Sequence, residues 1–144
     1  MKRYKTPIYN YEIIKSIIPQ DEPIIMVDSL IYFDSKKAIS GLKIKKDNIF
    51  LKNKILSESG LIENMAQTIA LYNGYSNMTS PIPKIGFIGA IKNLIINELP
   101  KINDNLITEI NIIHDFMGIM LVNGTTKNKN ENIMVAKFKV ALEK

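Results

Sequence analysis

Cysteine is absent from this 144-residue chain, and histidine occurs once, at His114. Without thiols there is no disulfide framework, no thiolate metal site and no cysteine nucleophile. A single imidazole also excludes a zinc site built from several histidines of one chain. Neither a metal nor a cofactor is expected. Long apolar runs are missing too. Residues Met1 to Asn10 carry two lysines and an arginine, with no hydrophobic stretch behind them. No leader and no membrane span is therefore expected, and the cytoplasm is the expected location. There are no low-complexity tracts and no fixed-period repeat. What remains is an ordinary globular balance, 46% hydrophobic and 23% charged, in a chain long enough to bury its own core. The expected organisation is a single domain over 1–144.

The net charge is +5, much of it in scattered lysines such as Lys43, Lys45 and Lys46. The plain reading is a solvated face; the sharper one is attraction to an acidic partner. Nucleic acid is not expected, because no basic, aromatic-interleaved module is present.

Hydrophobic spacing gives the order of elements. Residues 11 to 18 have helical spacing and end at Pro19. Residues 23 to 33 are rich in β-branched and aromatic types and read as a strand. Asp34, Ser35 and Lys36 are turn-like, and 37 to 46 read as a second strand, with Leu42 and Ile44 alternating with Lys43 and Lys45. One long helix follows. Ser57, Glu58, Ser59 and Gly60 supply an entry, since small polar residues satisfy the free N–H groups there. Leu61, Met65, Thr68/Ile69 and Tyr72 form one apolar row, and Ile62, Ala66 and Ala70 a second, so most of the helix is buried. Ala66, Ala70 and Gly74 let something pack against its backbone, and Asn73-Gly74 reads as its exit. After a loop with Pro81 and Pro83, strands are expected at 85 to 96, 104 to 114, 116 to 125 and 133 to 142. Residues 100–104, His114-Asp115 and 128–132 separate them. Short links make these last four antiparallel neighbours. The expected class is α+β: a curved antiparallel sheet of about six strands wrapped around one long helix.

Three stretches carry a resemblance. Ile18-Pro19-Gln20-Asp21-Glu22-Pro23-Ile24-Ile25-Met26-Val27-Asp28 resembles a Leu-Pro-His-Arg-x-Pro-x-Leu-Leu-Val-Asp entry into a first strand. Gly60-Leu61-Ile62-Glu63-Asn64-Met65-Ala66-Gln67-Thr68 resembles the start of a central helix in which an acid precedes an Ala/Asn-Met-Ala-Gln run. Gly86-Phe87-Ile88-Gly89-Ala90-Ile91-Lys92 resembles the strand that lines the tunnel beyond that helix. Together they resemble the hot-dog-fold 3-hydroxyacyl-[acyl-carrier-protein] dehydratases, and are closer to the branch associated with aryl-polyene and pigment synthesis. The resemblance implies a hot-dog fold and a dimer, homo- or heteromeric, with sites at its interface. It implies an acyl carrier protein or acyl thioester as partner, in fatty-acid or polyene-like biosynthesis. It gives Glu63 as the catalytic acid and Gln20, Gly60, Gln67, Phe87, Ile88 and Gly89 as substrate contacts.

Two departures bear on activity. The main branch carries a Gly-His-Phe-Pro-Gly motif before the helix; here the segment is Ile49-Phe50-Leu51-Lys52-Asn53-Lys54-Ile55-Leu56. The pigment-associated branch keeps a histidine after Leu-Pro; here it is Gln20. Ser29 also stands where a basic residue often follows the strand's aspartate, here Asp28. Dehydration removes a proton beside the thioester carbonyl and protonates the leaving hydroxyl. A near-neutral imidazole suits the first task and a carboxyl the second. An amide can only donate and accept hydrogen bonds.

A glutamate in the helix's first turn reads equally as that acid or as a carboxylate complementing the helix dipole; the resemblance favours the acid. The N–H groups at the helix start suit polarisation of the thioester carbonyl. Gln20 also reads as a turn residue, His114 as an exposed turn histidine, Asp28 as a backbone partner, and Gln67 as ordering the helix surroundings. Met65 and Tyr72 read as core. Three functions stay open: a dehydratase, a non-catalytic hot-dog subunit supporting an active partner, and an acyl thioesterase.

Overall fold

The computed structural model describes residues 3–81 and 84–143; Pro83 of the expected loop, like Met1, lies outside them. Among the described residues are two helices, α1 (Tyr11–Ile17) and α2 (Glu58–Ser76). The strands are β1 (Ser29–Asp34), β2 (Lys37–Lys43), β3 (Leu51–Lys52), β4 (Ile55–Leu56), β5 (Gly86–Ile96), β6 (Asn105–Phe116), β7 (Ile119–Asn128) and β8 (Glu131–Leu142). Six of them form one antiparallel sheet in the order β1-β2-β6-β7-β8-β5, and β3 and β4 pair separately. This is the expected α+β hot-dog arrangement, one long helix against a six-stranded antiparallel sheet. No helix among the described residues is long and apolar enough to cross a membrane.

The helix α2 begins where its sequence indicates, with the Ser57 side chain accepting from the Gly60 N–H at 3.3 Å. Leu61, Met65, Ile69 and Leu71 are buried along it. Its contact with the sheet is partly polar. Ser40, Thr108 and Thr126 form one cross-strand row on β2, β6 and β7 and are fully buried. Thr108 donates to Asn64 Oδ1 at 2.6 Å and lies 2.9 Å from the Thr126 hydroxyl. Ser40 lies 2.7 Å from the Thr68 hydroxyl, which itself donates to the Asn64 carbonyl. These bonds satisfy polar groups that would otherwise be costly to bury, and they fix the rotation of α2 on the sheet. Next to them, Gly124 makes room for Met65: a Cβ there would stand 2.3 Å from its sulfur.

The helix does not end at Asn73-Gly74. It runs to Ser76 and is capped at Asn77. Asn73 instead uses its side chain to donate to the Lys84 carbonyl at 2.8 Å. Gly74 is a contact point: a Cβ there would lie 2.1 Å from the Ile17 carbonyl oxygen, at the end of α1. In an open helix, Gly→Ala stabilises by about 1 kcal/mol. Here the sign reverses. Gly74→Ala is expected to destabilise by about 1–3 kcal/mol, read as a lower urea midpoint; a raised midpoint would contradict the contact.

Several expected strand limits shift, for identifiable reasons. The strand expected over 23 to 33 begins only at Ser29. Before it, Ile24 and Met26 send backbone bonds to α2 instead of to a neighbouring strand. Gln67 accepts from Met26 N at 2.5 Å and donates to the Ile24 carbonyl, and Asn64 donates to the Met26 carbonyl at 2.7 Å. The strand expected over 37 to 46 stops at Lys43 because Ile44 bonds to the Asn103–Asp104 loop. His114 and Asp115 lie inside β6 rather than in a turn. The turn is Met117-Gly118, with φ of 52° and 79°, and the next is Lys129-Asn130, with φ of 53° and 65°. Two-residue hairpins with consecutive positive φ match the twist of antiparallel strands. The β3–β4 hairpin, in a segment for which no element was expected, turns in the same way at Asn53-Lys54.

The two sheet edges differ. On β1, Ile8 exchanges backbone hydrogen bonds with Leu30. On β5 the outer side pairs with no described strand. Phe87 is 60% exposed and Ile95 55%, with Ile88, Ile91 and Leu94 also exposed.

Candidate functional site

A cleft of about 670 Å³ opens along one side of α2, within the size range of small-molecule sites. Its helix wall includes Ala66 and Ala70, the small residues of the second apolar row, with Ile69 of the first. The opposite wall is Ile17 to Gln20, where Pro19 ends α1 and turns the chain. Gly86 and Ile88 of β5 complete it, above Met120 and Val140 of the sheet. The cleft is apolar along most of its length and becomes polar where Asn73, Asn77 and Lys84 meet. There it adjoins a second cleft of about 450 Å³ that adds Asp115 and Glu143.

Gln20 is one of the polar side chains that line the larger cleft, with Tyr4, Ser16 and Ser80. Its Oε1 is buried and has no hydrogen-bond partner; Asn128 Oδ1 is the other such atom among the described residues. Near this end of α1, Tyr11 donates a short hydrogen bond to Glu22. Burial first, and the Glu22 carboxylate second, hold the Tyr11 phenol above its ordinary range.

Glu63 is the sixth residue of α2, which begins at Glu58, so it sits in the second turn rather than the first. The correction follows from the Ser57 cap. The Leu61 N–H already donates to the Ser57 carbonyl, so the N–H groups left free of such helical bonds end at Gly60, before Glu63. Dipole stabilisation fades beyond the first turn. The carboxylate is half-buried, and its Oε1 accepts from Gln67 Nε2 at 2.8 Å. Gln67, fully buried, thus ties Glu63 to the 24–28 segment: its amide bonds Glu63, Ile24 and Met26 together.

The remaining predicted contacts separate. Ile88 lines the cleft with Gln20. Phe87 and Gly89 lie on the exposed β5 edge, off the cleft wall. Gly60 is buried where a Cβ would meet Phe50 and Leu56 below 3 Å, so it serves close packing at the helix start. Glu63 and Gln67 are not on the cleft wall. The chain therefore does not gather Gln20 and Glu63 into one cleft. Asp28 accepts from the Lys43 N–H at 2.8 Å, as its backbone role requires. His114 is exposed near the β6–β7 turn, 6.1 Å between ring centres from Phe116. Ala66 and Ala70, read only as packing residues, line the cleft, as does Met120.

A family model described as ApeP-like, ApeP dehydratase, matches residues 12–142. Among solved structures, the chain is similar to the dehydratase heterocomplex ApeI:P from Xenorhabdus doucetiae, with a TM-score of 0.83 at 15% identity, covering 99% of this chain and 93% of that one. It is similar to a hypothetical thioesterase with coenzyme A from Streptococcus pneumoniae, with a TM-score of 0.63 at 11% identity, covering 78% and 86%. It also resembles the Escherichia coli PaaI protein, with a TM-score of 0.65 at 10% identity, covering 78% and 80%. At these identities the likeness is one of fold. No curated protein matches the chain.

Proposed function

The chain belongs to the ApeP-like dehydratase family, and from that premise we propose that it binds 3-hydroxyacyl thioesters as one subunit of a dehydratase whose base comes from a second hot-dog domain. The carrying observation is that Gln20 stands on the cleft wall at the position where the resemblance places a histidine. Gln20 lines the apolar stretch, and an amide cannot take the proton beside the thioester carbonyl. The carboxyl needed for the leaving hydroxyl is Glu63. It lies off that cleft, held by Gln67 one helical turn away. A second chain is needed to bring a base to Glu63.

The open edge of β5 supports the same reading. Phe87, Ile88, Ile91, Leu94 and Ile95 are exposed along a strand whose outer side pairs with no described strand. Such edges invite pairing with another chain. A protein of the same fold forms a dehydratase heterocomplex. The thioester would be carried by an acyl carrier protein, and exposed Lys43, Lys45 and Lys46 suit an acidic carrier. The setting would be cytoplasmic fatty-acid or polyene-like synthesis.

Purification from the native host tests the assembly. A second, histidine-bearing hot-dog chain is expected to co-purify. Phe87→Lys with Ile95→Lys should release it, because both positions are largely exposed in the single chain and would bury two charges in the pair. A strict homodimer that survives both substitutions would overturn the assignment of partner and edge.

A further inference from the structure

The outer face of the sheet carries a charge pattern beside the β5 edge. Ala136, Phe138 and Val140 of β8 are buried on the core side. Lys137 and Lys139 alternate with them and therefore point outward. The strand register places Lys92 of β5 directly opposite Lys137, and Ala90 opposite Lys139. Like charges directly opposite each other in an antiparallel pair destabilise it. The outward neighbours on β7, Leu121, Asn123 and Thr125, carry no charge. Glu109 of β6 stands a further strand away, opposite Thr125, and its carboxylate lies 3.9 Å from Lys37 Nζ. Among the described residues, none of Lys92, Lys137 and Lys139 makes a salt bridge.

Resting on the assembly described above, we propose that this lysine pair selects the partner. The chain that joins β5 presents a carboxylate on the outer face beside Lys92, and a second copy of this chain is disfavoured at the same edge.

The outward residues of β5 are Phe87, Ala90, Lys92 and Ile95, each set against an outward residue of β8. A complementary strand thus carries one acid, with apolar side chains at the alternate positions on either side. A second copy offers the opposite. β5 has 11 residues, with Ile91 at its centre. Two-fold pairing centred there sets Lys92 opposite Ala90 of the second copy and diagonal to its Lys92. Diagonal positions lie about 7–8 Å apart. Two Lys92 and two Lys137 side chains then form one basic cluster across the junction. Pairing also removes water from their stems, so the repulsion is screened less than in the single chain. A carboxylate at that place reverses the sign. A repulsive element of this kind separates partners that share a fold. It disfavours a pair of identical chains without forbidding it.

Sedimentation equilibrium tests the proposal on the full chain, alone and with the chain that co-purifies with it, at about 50 and about 500 mM salt. Self-association of the unmodified chain should tighten as salt rises, and the mixed pair should loosen. In Lys92→Gln with Lys137→Gln, self-association at low salt should be about tenfold tighter and the mixed pair about three- to tenfold weaker. Both side chains face solvent, and an unchanged unfolding midpoint checks that the fold is kept. Self-association that responds neither to salt nor to the substitutions would overturn selection by charge while leaving edge pairing intact. A partner with no Asp or Glu facing outward on its edge strand would overturn it too. A partner still bound by Phe87→Lys with Ile95→Lys would instead overturn the edge assignment on which the proposal rests.

Discussion

Gln20→His is expected to give the chain dehydratase turnover of its own, with enoyl formation raised by about 10²- to 10⁴-fold, the range a positioned general base contributes. The expectation follows from where the side chain is, not only from what it replaces. Gln20 is on the cleft wall at the end of α1, fixed by Pro19 before it and by the Asp21–Ile24 turn after it. An imidazole there stands against an apolar lining and titrates near neutrality, as a base for this proton must. Two copies would supply two such bases and two Glu63 carboxyls, so a homodimer would suffice. The control is Gln20→His combined with Glu63→Gln, expected to return activity to background. A folded, thioester-binding Gln20→His that produces no enoyl would show that the base does not act from this wall.

The second large effect is that of Glu63→Gln in the assembled complex: kcat should fall by about 10²-fold or more, with KM for the thioester little changed. The substitution isolates proton transfer. A glutamine at 63 still accepts from Gln67 Nε2 through its amide oxygen, so the link between α2 and residues 24–28 is kept. The second-turn position also weakens the competing account, in which the carboxylate merely complements the helix dipole. That account predicts a small loss of stability and unaltered kcat. Unfolding midpoints and steady-state kinetics on the same preparation separate the two.

Much of the fold could be read from the chain before its structure was known. The central helix was legible because two apolar rows and the Ser57 cap coincide. The later strands were legible because alternation survives along most of their length. What escaped was set by long-range partners. Residues 24–28 have strand composition, yet Asn64 and Gln67, some forty residues away, take backbone bonds of Ile24 and Met26. His114 and Asp115 look like turn residues, but the turn falls at Met117-Gly118, where paired positive φ values are met. Gly74 looked like a helix exit and is instead the contact for α1.

The candidate site was legible in part. Gln20 and Ile88 share the cleft, whereas Glu63 and Gln67 lie behind it and Phe87 and Gly89 lie on the edge. The cleft's helix wall includes Ala66, Ile69 and Ala70, and apolar residues of this kind give no chemical signal in a sequence. The departure at Gln20 was visible at once. Its buried, unpartnered oxygen was not, because that depends on packing.

The most direct measurement is turnover of a 3-hydroxyacyl thioester by the purified, unmodified chain alone and with the partner that co-purifies with it. The account predicts thioester binding without enoyl formation for the chain alone, and turnover for the pair. Enoyl formation by the chain alone, with Gln20 in place, would contradict it, as would free thiol release, which marks a thioesterase.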